Sequence, residues 1–290
     1  MWTAPTTNTG EFCLEFGTTR FCVDPKLGGR ITEFGTGGEN VLCSVDDLGD
    51  WTNGGSTFWT SPQSAWGWPP NPKLDREPYA AELDVAAARL TLLSPRFEVG
   101  GSTLTLSKRF WPDLEREAVV IEYVVHNHGP TISLAGWEVS RVPAAGQTFF
   151  AGNAAHALGG LPAPRITTDA SGWIWMDHAT QPSEAKLGAD ATRGFVAYVT
   201  PQLLFLKTFV DHPAESAAPN EAEVELYVKP GRYVEIEQQG PLREIAKGQE
   251  LSYRVDWYIR RLTPKTTSAS NADWVLLTQR LVTEAENARG

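Results

Sequence analysis

The chain has 290 residues, 41% of them hydrophobic and 21% charged, which provides for a sizeable core and excludes global disorder. Twenty-five Lys and Arg against 35 Asp and Glu give a formal charge of −10, a field that argues against nucleic acid and anionic membrane surfaces as partners. No apolar run approaches the ~18–20 residues that span a bilayer.

The first ten residues, MWTAPTTNTG, have neither a basic nor an apolar stretch and read as a polar lead-in. They suit either a cytosolic start or the trimmed start of an exported protein. Two strand-like runs follow, Glu11–Phe16 and Thr19–Val23, separated by Gly17-Thr18. A Gly-X pair between such runs predicts a two-residue type II′ hairpin. Counting from that turn, Cys13 stands opposite Cys22 in a non-hydrogen-bonded pair, ~4.5 Å apart at Cα and within reach of a disulfide. Two small buried thiols are the alternative. A disulfide would favour a periplasmic or secreted protein, with a cytoplasmic one as the alternative. Cys43 is left over, and no Cys/His spacing resembles a metal site.

From residue 11 to about 262 the chain is a succession of short β-like runs, and 26 Gly and 20 Pro break it too often for long helices. Many short strands without strand–helix alternation predict an all-β sandwich or barrel. Residues 51–80 stand apart, rich in Trp, Pro, Gly and Asn, and read as a long irregular loop. Within it, Trp59, Gln63, Trp66 and Trp68 are set among prolines as a rigid aromatic wall for a ligand, with a plug of Trp rings at one end of the sandwich as the alternative. Near the end, Trp274, Leu277 and Leu281 at helical spacing predict a helix over 272–288, capped by Ser270 or Asn271 and ended by Gly290. No repeat or linker divides the chain, so one domain, 1–290, is expected.

The familiar catalytic signatures are absent: no GxSxG, HExxH, P-loop or dinucleotide-binding glycine motif. His126 and His128 belong to a predicted turn. Strand alternation instead sets Tyr233, Glu235, Glu237 and Gln239 on one face, opposite Val234 and Ile236. Glu223, Glu225 and Tyr227 share a face in the same way. Such faces are either solvated surface or the floor of a polar cleft, where desolvation would raise one carboxyl and suit it to proton transfer. Arg141, Lys207 and Trp175 share strand faces with large aromatics. Rings that stack on sugar C–H faces beside charges that grip hydroxyls point to carbohydrate; snorkelling at sheet edges is the bland alternative.

Leu27-Gly28-Gly29-Arg30-Ile31 resembles the N-terminal GGRI turn of the galactose mutarotase-like superfamily. The Trp59–Pro70 loop, Trp137–Val142, Glu235–Leu242 and the Lys247–Glu250 turn before Asp256-Trp257-Tyr258 continue that resemblance over about residues 11–262. It implies a β-supersandwich of two large antiparallel sheets with a carbohydrate cleft on the concave one. It also implies a late glutamate as base, Glu237 or Glu235, in opening and closing of a sugar ring. The mid-chain histidine of such enzymes has no clear counterpart. His178 is nearest, but alternation sets it with Ile174 and Met176. His178, Lys207 or Arg141 would then protonate or polarise the ring oxygen, and Lys207 and Arg141 would suit a sugar acid. The expected site is walled by Trp59, Trp66 and Trp68 and floored by Arg141, Trp175, Lys207, Glu225 and Glu237. Neither cofactor nor metal is implied. A non-catalytic carbohydrate-binding protein, or a domain associated with polysaccharide lyases or hydrolases, is the alternative. Nothing in the sequence sets the oligomeric state.

Overall fold

The computed structural model describes residues 1–4, 10–44, 54–262 and 271–289. Among them the chain is an all-β sandwich whose strand pairings are antiparallel, with one long C-terminal helix, Asn271–Arg289. One sheet runs, edge inwards, through Phe12–Phe16, Thr19–Asp24, Arg30–Thr36, Ser56–Ser61, Ile132–Pro143, Tyr233–Gln239, Val224–Lys229 and Ala185–Ala191. The other runs through Ala80–Asp84, Arg89–Leu93, Ser102–Asp113, Ala118–Asn127, Glu250–Arg261, Leu203–Thr208 and Phe195–Val199. The Gln147–Ala157 strand belongs to both. Its first half pairs with Phe195–Val199 and Trp173–Asp177 in the second sheet, its second half with Ala185–Ala191 in the first.

Period-2 alternation puts the aliphatic and phenyl side chains between the sheets. Phe21 and Phe34 of the first sheet meet Phe110, Phe205 and Trp257 of the second at ring separations of 5.3–6.1 Å. In the predicted hairpin Cys13 does pair with Cys22, and the two are joined in a disulfide. Gly17, at φ 55°, supplies the positive φ that such a turn requires.

Two expectations need correction. Residues 56–61 are not loop but a strand buried on both faces and paired with the 132–143 strand. Small and β-branched Ser and Thr residues fit between neighbouring strands there, while Phe58 stacks on Tyr123 at 4.2 Å inside and Trp59 faces out. The rest of the segment remains irregular, with cis peptides before Pro62 and Pro69 and a short 3-10 turn at Gln63–Ala65. In the C-terminal helix Leu281 is buried as expected, but the rest of the buried stripe is Val275, Thr278, Val282 and Ala285 and not Trp274 and Leu277. Trp274 and Leu277 are only half-buried, and the predicted caps Ser270 and Gly290 and the Asn271 side chain lie outside the described residues.

Candidate carbohydrate cleft

Five strands of the first sheet turn their outward faces to one cleft. The register sets Trp59 beside Trp137, Arg141 beside Glu235, Glu237 beside Glu225, and Tyr227 between Glu235 and Lys186. Side chains two apart on each strand then form a continuous floor of acids and aromatics. Two adjoining cavities of about 360 Å³ each open above it. The first is lined by Trp59, Trp68, Tyr227, Tyr233, Glu235 and Glu237. The second is lined by Ser64, Gly67, Pro219, Asn220, Glu221 and Glu225. Gln63, Trp137, Gly159 and Lys186 border both.

The aromatic wall is built from the GGRI turn outward. Gly28 has φ 61°, and a Cβ there would lie 2.1 Å from the Asp75 carbonyl oxygen, so only glycine fits. That close approach places the buried Arg30 against Asp75, which it meets at 3.3 Å while donating to the Gly54 carbonyl at 2.8 Å. Asp75 in turn accepts from the Trp59 indole at 2.9 Å. Trp59 contacts Trp66, Trp68 and Trp137 at centroid separations of 5.3–6.0 Å. Trp66 is fixed by its indole N–H on the Thr60 carbonyl (2.7 Å), whereas Trp68 is 64% exposed.

The acidic floor is organised by Lys186. Its Nζ lies 2.6 Å from Glu225 Oε2 and 3.5 Å from Glu237 Oε2, and 5.3 Å from the Trp137 ring centroid. Glu225 Oε1 accepts from the Ala222 N–H and Gln239 Nε2, both at 3.0 Å, and so is fully engaged. Glu237 Oε2 accepts from the Trp137 indole at 2.8 Å, but its Oε1 is buried without a hydrogen-bond partner. Burial pushes the Glu237 carboxyl up to about 8; Lys186 opposes the rise, and Glu225 and Glu235 add to it. Burial also raises Glu225. For Lys186 burial acts downward, but the charges of Glu237 and Glu225 outweigh it and hold the ammonium above its ordinary range. Near neutral pH the group therefore keeps a protonated lysine beside a largely protonated Glu237.

Of the residues picked from sequence, Trp59, Gln63, Trp66, Trp68, Glu225, Glu235 and Glu237 come together here. Arg141 lies on the same sheet face but is wholly covered, its guanidinium 5.4 Å from the Trp59 ring centroid and its Nε donating to Glu235 at 2.9 Å. It positions Glu235 and cannot floor the cleft. Lys207 is not in the cleft either. It enters from the second sheet into the interior, where Nζ meets Ser140 Oγ, the Ile236 carbonyl and Glu138 at 2.9–3.1 Å. Alternation places it on the far side of the sheet from Glu237. Trp175 packs face to face on Phe149 at 4.3 Å near the C-terminal helix, its indole on Asp169. His178 is buried against Tyr198 and bonded to Thr148 and the Pro143 carbonyl. Burial pushes it down to about 4 and holds it neutral.

Sequence reasoning missed Lys186. Its signal is the alternation of Ala185, Leu187 and Ala189 with Lys186 and Gly188, which puts a lone cation on the outward face. It also missed Glu221, whose carboxylate accepts from the Gln63 N–H at 2.5 Å and from the Ser61 hydroxyl, bracing the aromatic loop.

No family model matches the sequence, and no curated protein does. Solved structures do. The chain superposes on a protein of Escherichia coli K12 assigned as an aldose 1-epimerase with a TM-score of 0.62, over 87% of this chain and 99% of that one, at 12% identity. For the galactose 1-epimerase of Lactobacillus acidophilus the TM-score is 0.58, over 91% and 99%, at 12% identity. For a galactose mutarotase-like protein of Clostridium acetobutylicum it is 0.58, over 87% and 95%, at 9% identity. The chain shares the galactose mutarotase-like fold.

Proposed function

We propose that this is a carbohydrate-active, mutarotase-like protein that interconverts the anomers of an uncharged sugar in the Trp59–Glu237 cleft. The observation that carries the reading is Glu237: a desolvated carboxyl with one oxygen unpartnered, at the floor of a tryptophan-walled cavity. The fold shared with aldose and galactose 1-epimerases supports it at the level of architecture.

In this scheme Glu237, once deprotonated, takes the proton of the anomeric hydroxyl through its free Oε1. The electron pair of that O–H bond forms the C1 carbonyl as the bond from C1 to the ring oxygen breaks. Lys186, held by Glu225, faces the ring oxygen, stabilises the alkoxide and passes it a proton. An alkoxide is more basic than even a stabilised amine, so the transfer runs that way. Rotation about C1–C2 and the reverse steps close the other anomer. Because Glu237 must lose its proton first, kcat/KM should rise with pH through about 8. The cations once assigned to a sugar acid do not line either cavity: Lys207 is in the core, and Arg141 is wholly covered, with its Nε on Glu235.

The second reading, a non-catalytic sugar binder, is favoured by one feature: among the described residues no histidine lines either cavity. Glu237→Gln separates the two. A proton acceptor loses roughly 10²–10⁴-fold in anomerisation rate while binding survives. Rates equal to buffer for a hexose panel, with sugar bound and the protein folded, would remove the enzyme reading.

The Cys13–Cys22 disulfide supports export to a periplasmic or extracellular space. Thiol titration of denatured, unreduced protein from its native compartment should find one thiol, that of Cys43; three would count against export.

A further inference from the structure

We propose that the cleft holds two linked sugar units, so that the preferred ligand is a reducing disaccharide and not a single hexose. The proposal rests on the reading of the cleft as a sugar site. The reducing unit would occupy the cavity of Glu237, and its glycosidic partner the cavity bounded by Ser64, Pro219, Asn220, Glu221 and Glu225.

Each cavity, at about 360 Å³, already reaches the ~300 Å³ at which small-ligand pockets begin, so a single unit would leave its neighbour to water. The two differ in chemistry. The first pairs aromatic rings with the unpartnered Glu237 Oε1, as a reacting centre needs. The second sets Ser64, Asn220 and the carboxylates of Glu221 and Glu225 against Leu158 and Pro219, acceptors and apolar surface suited to the hydroxyls and C–H face of an uncharged unit. Lys186 joins the two cavities by gripping one carboxylate from each.

The second cavity is also braced. Glu221 ties the 219–221 turn to the aromatic loop through the Gln63 N–H and the Ser61 hydroxyl, and Asn220, at φ 63°, makes the turn. Opposite sides of the cavity are thus held at fixed spacing before any ligand arrives, which lowers the cost of binding.

Calorimetric titration with glucose and galactose, and with maltose, cellobiose and lactose, tests this. At least one disaccharide should bind ten or more times tighter than its reducing-end monosaccharide. Ser64→Trp, an exposed substitution that fills the second cavity, should weaken that disaccharide at least tenfold more than the monosaccharide. Pro219→Trp, across the cavity, gives the same readout should the first variant fold poorly. Equal affinities for both sizes in the parent protein, or equal losses in the variants, overturn the two-unit proposal and leave the sugar site standing. Binding of no sugar to folded protein overturns both.

Discussion

Among the described residues the same three side-chain types meet on opposite faces of one sheet. Inside, Glu138, Lys207 and Trp257 come together; outside, Glu237, Lys186 and Trp137 do. In each the indole N–H donates to the carboxylate, at 3.0 and 2.8 Å, and the lysine lies 5.6 or 5.3 Å from the indole ring centroid. The trios are neighbours in sequence, since Glu138 follows Trp137 and a one-residue step crosses the sheet. They differ in satisfaction. Both oxygens of Glu138 are engaged, by Gln238, Trp257 and Lys207 on one and Tyr123 on the other, and Lys207 spends all three protons. Glu237 keeps an oxygen with no donor. A buried polar group without a partner is costly in a structure whose only task is to be stable. The inner trio is satisfied across the two sheets, whereas the outer one leaves Glu237 Oε1 without a donor, which is the feature the proposed sugar site uses.

That contrast predicts effects of opposite sign. Glu138→Ala strands the Lys207 ammonium in the interior and should cost about 3–5 kcal/mol, read as a lower urea midpoint at unchanged slope. Glu237→Gln should not destabilise the protein above neutrality. With its carboxyl raised from 4.5 to about 8, folded Glu237 holds a proton that the unfolded chain has lost. Stability is therefore given up as pH rises from 4.5 to 8, by at most about 5 kcal/mol at 1.36 kcal/mol per unit. The variant should match its parent near pH 4 and exceed it at pH 8. A loss at both would make Glu237 structural, like Glu138.

His178 sharpens the interior side of the comparison. Burial lowers it from 6.5 to about 4, so between those values the unfolded chain gains a proton that the folded one refuses. Its contribution is intact above pH 6.5 and falls away toward pH 4, by about 3 kcal/mol. Denaturation midpoints of the parent and His178→Gln across that range should converge as pH falls. Parallel curves would mean that His178 charges without cost, and so is not sealed in the core.

How much of this was legible follows from what alternation can and cannot say. Tyr233–Gln239 shows its two faces at once, because Val234 and Ile236 must go inside and leave Glu235 and Glu237 outside. The GGRI turn and the 13/22 cysteine register are equally local. Lys207 defeats the method. On its strand both faces are buried, so alternation gives a face but not which side faces water. The interior charge is tolerated only because Glu138, Ser140 and Ile236 from the facing sheet supply its acceptors, and those contacts span 29 or more residues of sequence. Trp175 and His178 mislead for the same reason: a polar or aromatic residue beside aliphatics can be satisfied by a partner that the linear pattern does not show.

The smallest expected effect lies at the rim of the outer trio. Trp66 and Trp68 stand two residues apart and both meet Trp59 or Trp137, yet they do different things. Trp66 is half-buried and bonded to Thr60, so Trp66→Ala removes packing and a hydrogen bond and should lower stability. Trp68 is mostly exposed, touches Trp59 edge-on at 5.9 Å and lines the first cavity. Trp68→Ala should leave the unfolding midpoint within ~0.5 kcal/mol of the parent. A sugar that stacks on its free face should lose ~0.5–1.5 kcal/mol, a two- to tenfold rise in Kd. Should Trp68→Ala instead lower stability and spare binding, Trp68 would be a lid on the core, and the sugar would have to contact Trp59 and Trp137 alone.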